Sequence, residues 1–229
     1  MNSPGLRYPN SQGSEGFSLI ELLMAMTIIL VIMAMTTTLL VNAFNTRSRE
    51  NQRSDGLADA QRALNIMTRE IANSGFGLTN NGIIAADSGL TTIRVRANLN
   101  AFDGQSTSLS VNDRNEDVKY SLYTAAGASY IVRLDIGTEN QTTVLANRVD
   151  SLKFRYYAAK INYTMATTDC DISTTSTEVT DKSQAKYIVM SICVELSQVG
   201  SPGSYGYQPT SRVQLVSDVS LRNADLGTY

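Results

Sequence analysis

The apolar run from Phe17 to Phe44 constrains this chain more than any other feature, because about 28 residues carry a single charge, Glu21. As a helix rising 1.5 Å per residue it is roughly 42 Å long, against roughly 30 Å of bilayer hydrocarbon, so it is long enough to span. It lacks the form of a secretory signal, in which a basic start precedes a short apolar core and a small-residue cleavage site follows it. Residues 1–16 are polar with Arg7 as their only base, and Gly16 stands before the apolar block. Arg7 on one side and Arg47, Arg49 and Arg53 on the other leave orientation undecided by the positive-inside count. Glu21 requires a reason of its own, since a charge at the bilayer centre costs about 2.5–3.5 kcal/mol even on insertion scales.

The rest of the chain narrows the chemistry. Its 229 residues carry a net charge of -2 and a pI near 5.2. That is not the basic excess of a phosphate-backbone binder, so nucleic acid is not expected as a partner. There is no His, and the only thiols are Cys170 and Cys193, which removes His-based triads and zinc sites of the usual ligand count. No catalytic residue, cofactor or metal site is assigned. Asp113-Arg114-Asn115-Glu116-Asp117 has the alternating oxygens that open an EF-hand loop. However, Val118 stands where the turn needs Gly and Thr124 where the bidentate Glu belongs.

Beyond the apolar block the pattern becomes amphipathic. Leu57, Ala60, Leu64, Met67 and Ile71 alternate spacings of three and four, the stripe by which a helix packs on a folded domain. Asp55, Asp59, Arg62, Arg69 and Glu70 are expected on the opposite face, and Gly75 reads as a C-cap, so one helix is expected from about Phe17 to about Ser74. Later apolar runs are short and heavily punctuated, as in an antiparallel sheet. Strands are expected over Thr91–Arg96, Asp117–Tyr123, Tyr130–Asp135, Thr143–Leu145, Val149–Tyr157, Tyr187–Leu196 and Arg212–Leu221. Residues 158–185 and 199–211 read as surface loops, the usual place for partner contact. The fold class is α+β, a long N-terminal helix packed on a C-terminal antiparallel β-sheet domain.

Gly16-Phe17-Ser18-Leu19-Ile20-Glu21, after a polar leader and before an uninterrupted apolar helix, resembles the cleavage site of type IV prepilins and of the pseudopilins of type II secretion. The resemblance implies a leader over 1–16, cut after Gly16 on the cytoplasmic face by prepilin peptidase, which methylates the new amine of Phe17. It implies a membrane and filament-core helix over 17–44, an amphipathic continuation over 45–77 and an extracytoplasmic β-rich pilin domain over 78–229. The protein would be held in the inner membrane before joining a pilus. Its partners would be other major and minor pilins, met through the N-terminal helix, and the pilus assembly platform. In that setting Glu21 pairs with the N-terminal amine of a neighbouring subunit. Thr36-Thr37-Thr38 either loosens the helix in the filament or bonds back to it.

Two further stretches resemble PilW-type minor pilins and J-type minor pseudopilins. They are the helix end from Arg62-Ala63-Leu64 through Arg69-Glu70-Ile71 to Gly75-Phe76, and the order of strand segments from Tyr120-Ser121-Leu122 to Leu152-Lys153-Phe154. The expected function is a minor type IV pilin that primes or joins the pilus tip, with Glu21 pointing to a place just below the topmost subunit. A J-type pseudopilin and a non-polymerising membrane-anchored binding domain are the alternatives. Cys170 and Cys193 fall in the exported part, an oxidising compartment. A bridge between them closes a loop of about 24 residues and stabilises by roughly 3 kcal/mol on the chain-entropy estimate. The alternative is one buried and one exposed thiol.

Overall fold

Helix α1 runs unbroken from Leu19 to Ala72, 54 residues or about 81 Å. The structure is a computed structural model describing residues 16–101, 111–137, 141–166 and 168–224; leader residues 1–15 lie outside these. The three consecutive threonines do not interrupt α1. Thr36 and Thr37 donate their hydroxyls to the carbonyl of Met33 at 3.0 and 2.7 Å, and Thr38 donates to Met35 at 2.8 Å. Hydroxyls satisfied one turn back leave the helix no polar reason to break in an apolar setting.

The C-terminal half of α1 buries Gly56, Ala60, Ala63, Leu64, Met67, Ile71 and Ala72, while Leu57 is half-buried. The covered stripe also extends towards the N-terminus in polar residues. Asn42, Asn45, Arg49 and Gln52, spaced three or four apart, are partly covered, and every residue between them is exposed. Arg49 closes this stretch by donating to the carbonyls of Leu196 (2.9 Å), Ser197 and Pro209 (2.8 Å) and to the Ser211 hydroxyl at 2.6 Å.

Two antiparallel sheets lie against α1. The first is a meander of β1 (Thr92–Arg96), β2 (Asp117–Ala125), β3 (Ala128–Asp135) and β4 (Gln141–Ala146) in that order. The second contains β5 (Val149–Tyr157), then β8 (Tyr187–Leu196) and β9 (Ser211–Ser220), with β8 central. Between β5 and β8 the chain forms a small ribbon of β6 (Thr164–Ala166) and β7 (Asp171–Ser173). Residues 158–185 were expected to be a plain loop. They instead cover the outer face of the second sheet, because alternate residues of β8 point both ways. Ile188, Met190, Ile192 and Val194 join the core that contains Leu64, Met67 and Ile71. Tyr187 and Val189 pack with Tyr157 against Ile161, Tyr163 and Ile172 on the other side.

Two expectations for the end of α1 need correction. Glu70 does not face away from the domain: it accepts from the buried Tyr120 hydroxyl and from Arg133 Nε at 3.0 Å, pinning the helix to β2 and β3. Burial and the adjacent Glu70 carboxylate raise the Tyr120 phenol above its ordinary pKa, so the hydroxyl stays protonated and donates. The helix is capped by Asn73 in the right-handed region, and Gly75, at φ +80, makes the turn that follows. The last carbonyls of a helix have no partner within it. Here the chain after β9 supplies them: Arg222 N–H donates to Ala72 O at 3.0 Å, and Asn223 Nδ2 donates to Asn73 O and Ser74 O.

At Gly56 α1 comes close to β8: a Cβ there would stand 2.7 Å from Val194 Cγ1. Ala in a helix interior is favoured over Gly by about 1 kcal/mol, whereas overpacking a filled core costs about 1–3 kcal/mol. Gly56→Ala is therefore expected to lower thermal stability of the full-length protein in detergent, and Val194→Ala in the same chain to recover part of the loss.

Candidate functional site

Gly16 and Phe17 are exposed and precede the helix. Ser18, the N-cap, is extended at φ -68 and ψ 141 and makes no side-chain cap, while its carbonyl accepts from Glu21 N–H at 3.0 Å and Leu22 N–H at 3.1 Å. The peptide bond before Phe17 therefore lies outside the helical hydrogen-bond ladder. The fold does not dictate glycine at position 16: a Cβ there meets nothing within 4 Å, and the residue is not in the left-handed region. Any requirement for glycine comes from a second molecule.

Glu21 occupies the first turn of α1, where the helix dipole favours a carboxylate by about 0.3–1 kcal/mol. That is less than the cost of a charge deep in hydrocarbon. Among the described residues Glu21 has no ion pair and is exposed. Around and beyond it the side chains that would sit in a core are in the open: Phe17 is 82% exposed, Leu30 65% and Phe44 60%. The most apolar stretch of α1 has none of its residues buried, and by length and composition the helix is long and apolar enough to cross a membrane. This exposed half is about seven turns long, and among its described residues only Asn42 is partly covered.

The sheet domain holds a second organised region. Cys170 and Cys193 are joined as a disulfide, with their Cα atoms 5.8 Å apart, tying the segment before β7 to the buried middle of β8. Arg155 forks onto Asp171 through Nε at 3.2 Å and Nη2 at 2.5 Å and reaches Glu178 at 2.6 Å, while Lys153 Nζ lies 3.2 Å from Asp171. Ser191 Oγ donates to Cys170 O at 3.1 Å, and Gln214 Nε2 donates to Asp171 O at 2.6 Å. Burial pushes the Asp171 carboxyl up, but hydrogen bonds from Arg155, the Ile172 amide and Lys153 outweigh it and hold its pKa below the ordinary value.

The acidic run at 113–117 is spent on structure. Asp117 binds Arg94 and Arg96, each at 2.7 Å, and Glu116 accepts from the amides of Leu99 and Asp113 at 2.8 and 3.1 Å. Among the described residues no group of three or more potential ligands from His, Cys, Asp and Glu is placed to hold a metal. The polar stripe at Asn42, Asn45 and Arg49 escaped sequence reasoning, and its signal is the helical spacing of polar rather than apolar residues.

Residues 12–37 match the family described as the prokaryotic N-terminal methylation motif. In this chain that motif opens one long N-terminal helix, which is followed by an antiparallel sheet domain. Among solved structures it is similar to the type IV-like pilin TTHA1219 from Thermus thermophilus, at 11% identity and a TM-score of 0.38, covering 73% of this chain and 96% of that one. No curated protein sequence matches the chain.

Because the folded-state pKa of Asp171 is depressed, its stabilisation is complete above the ordinary carboxylate value of about 4 and is lost as pH falls through the lowered value. Asp171→Asn should therefore lower the melting temperature at neutral pH, with the difference from wild type shrinking towards zero in acid. The oxidised, denatured protein should show no alkylation of Cys170 or Cys193 until reductant is added.

Proposed function

We propose that this chain is a minor type IV pilin, a structural subunit cleaved between Gly16 and Phe17 by prepilin peptidase and N-methylated at Phe17. It is held in the inner membrane with the sheet domain on the extracytoplasmic side, and it joins other pilins near the pilus tip through the assembly platform. The observation that carries this reading is a methylation motif opening a helix whose most apolar stretch is left unburied by its own domain. An apolar helix of that length requires lipid before assembly and neighbouring helices after it.

Two local features support the assignment. The freedom of position 16 to accept a side chain within this chain fits a glycine selected by a peptidase subsite. The unpaired Glu21 fits a carboxylate awaiting the amine of an adjacent subunit, because a charge buried among packed helices needs a partner and breaking such a pair costs about 3–5 kcal/mol.

Gly16→Leu is expected to leave an uncleaved precursor in the membrane fraction, visible as slower electrophoretic mobility. Glu21→Leu removes a charge from the inserted segment while stranding the neighbour's amine. Insertion and cleavage should survive while recovery in sheared filaments falls at least about tenfold, the effect of 1.4 kcal/mol, less than half of such a pair. Equal recovery of wild type and Glu21→Leu would remove the pairing role.

A further inference from the structure

The segment 199–211 is a built loop. Val199 and Gln208 exchange backbone hydrogen bonds at 2.9 Å to close its neck. Ser204 N–H and hydroxyl both reach Ser201 O, at 3.0 and 2.6 Å, and Tyr207 N–H donates to Ser204 O at 3.2 Å. Gly200, Gly203 and Gly206 all take positive φ. The loop lies against the polar stripe of α1: a Cβ at Gly206 would stand 2.5 Å from Asn42 Oδ1, and one at Gly200 would stand 3.3 Å from Asn45 Nδ2. Arg49 fixes its far end through Pro209 O and the Ser211 hydroxyl. Held in this way, the loop presents Tyr205 74% exposed.

The position of the loop along α1 identifies what it meets. Asn42 lies about 34 Å along the helix from Leu19 at 1.5 Å per residue, just past the roughly 30 Å of hydrocarbon. That is the headgroup layer, where an amphipathic tyrosine ring is favoured on a membrane protein. The segment from Val199 to Ser211 contains no charged residue, so nothing in it repels an anionic lipid surface. The loop lies over the amides of Asn42 and Asn45 at this level of α1.

We propose that the 199–211 loop is an interfacial collar that seats Tyr205 in the phospholipid headgroup layer before the subunit is extracted into a filament. The occupant of this surface is lipid, and the proposal rests on α1 being the membrane anchor. By filling the angle between helix and domain, the collar fixes how closely the sheet domain stands over the bilayer.

The chain has no Trp, so single Trp substitutions report position directly. Full-length protein is reconstituted into vesicles of phosphatidylethanolamine and phosphatidylglycerol carrying a nitroxide at either the headgroup or the deep acyl chain. Leu30→Trp reports insertion of α1, and Thr79→Trp, in the turn region after α1 ends at Ala72, about 45 Å beyond Asn42, reports the aqueous end. The Tyr205→Trp protein should lose on the order of half its emission to the headgroup nitroxide, with little loss to the deep one. Thr79→Trp should be untouched by both, and Leu30→Trp quenched by the deep label. If Tyr205→Trp behaves like Thr79→Trp while Leu30→Trp is quenched, the anchor stands and the collar is overturned. If Leu30→Trp also escapes quenching, the membrane reading fails and the collar with it.

Discussion

The apolar half of α1 has nothing of its own to pack against, and the rest of the molecule is arranged around that fact. Eighteen large hydrophobic side chains between Phe17 and Phe44 are exposed, and burying each is worth about 1.5–3 kcal/mol. Their total, on the order of tens of kcal/mol, exceeds the roughly 5–15 kcal/mol that holds an ordinary domain together. The chain therefore has no comfortable state in water alone. Under the proposed function it passes between two apolar surroundings, lipid and then neighbouring helices, and the sheet domain folds on the same helix without burying its most apolar stretch. The polar stripe at Asn42, Asn45, Arg49 and Gln52 is the boundary between these two duties: it binds the domain without adding apolar surface that would compete for the membrane or filament contact.

Above that boundary the domain is layered. The helix covers one face of the second sheet and the segment 158–185 the other, so β8 is covered on both sides and carries nine buried residues out of ten. A central strand of this kind can reject water only while both covers stay in place. The helix side is secured by apolar packing and by Glu70 with Tyr120 and Arg133. The outer side has a smaller apolar cluster and adds a covalent tie and the Arg155–Asp171–Glu178 pairs. The thinner layer is the one with the covalent tie, as expected where buried area is small and chain entropy must be restrained in another way.

How much of this was legible in the sequence depended on whether one rule decided a segment. Leu64, Met67 and Ile71 announced the packed face because period and polarity agreed, and the run from Val149 to Tyr157 was bounded correctly because turn residues flank it. Glu70 was misplaced because Ile71, next to it, already claimed the core face. A charged residue at the edge of such a stripe can turn inward only when a buried Arg and Tyr wait for it, which requires knowing that β2 and β3 come to rest there. The short strands β6 and β7 sit among Thr, Asp and Ser with no alternation, and they exist because the outer face of β8 needed a cover. The N-terminal methylation motif could be read directly from residues 16–21. What Glu21 pairs with could not be read, since no described residue of the chain forms an ion pair with it.

One continuous helix also makes the two ends of the molecule share a rotational phase. Asn42 follows Glu21 by 21 positions, or about 5.8 turns at 3.6 residues per turn, leaving the loop side of α1 roughly 60° from the direction in which Glu21 projects. Helix α1 runs unbroken between the two, and Arg49 with the 199–211 loop ties the domain to it. If Glu21 engages a neighbouring subunit as proposed, that contact sets the azimuth of the sheet domain around a shared axis, and so which strand edges and loops face outward from the bundle.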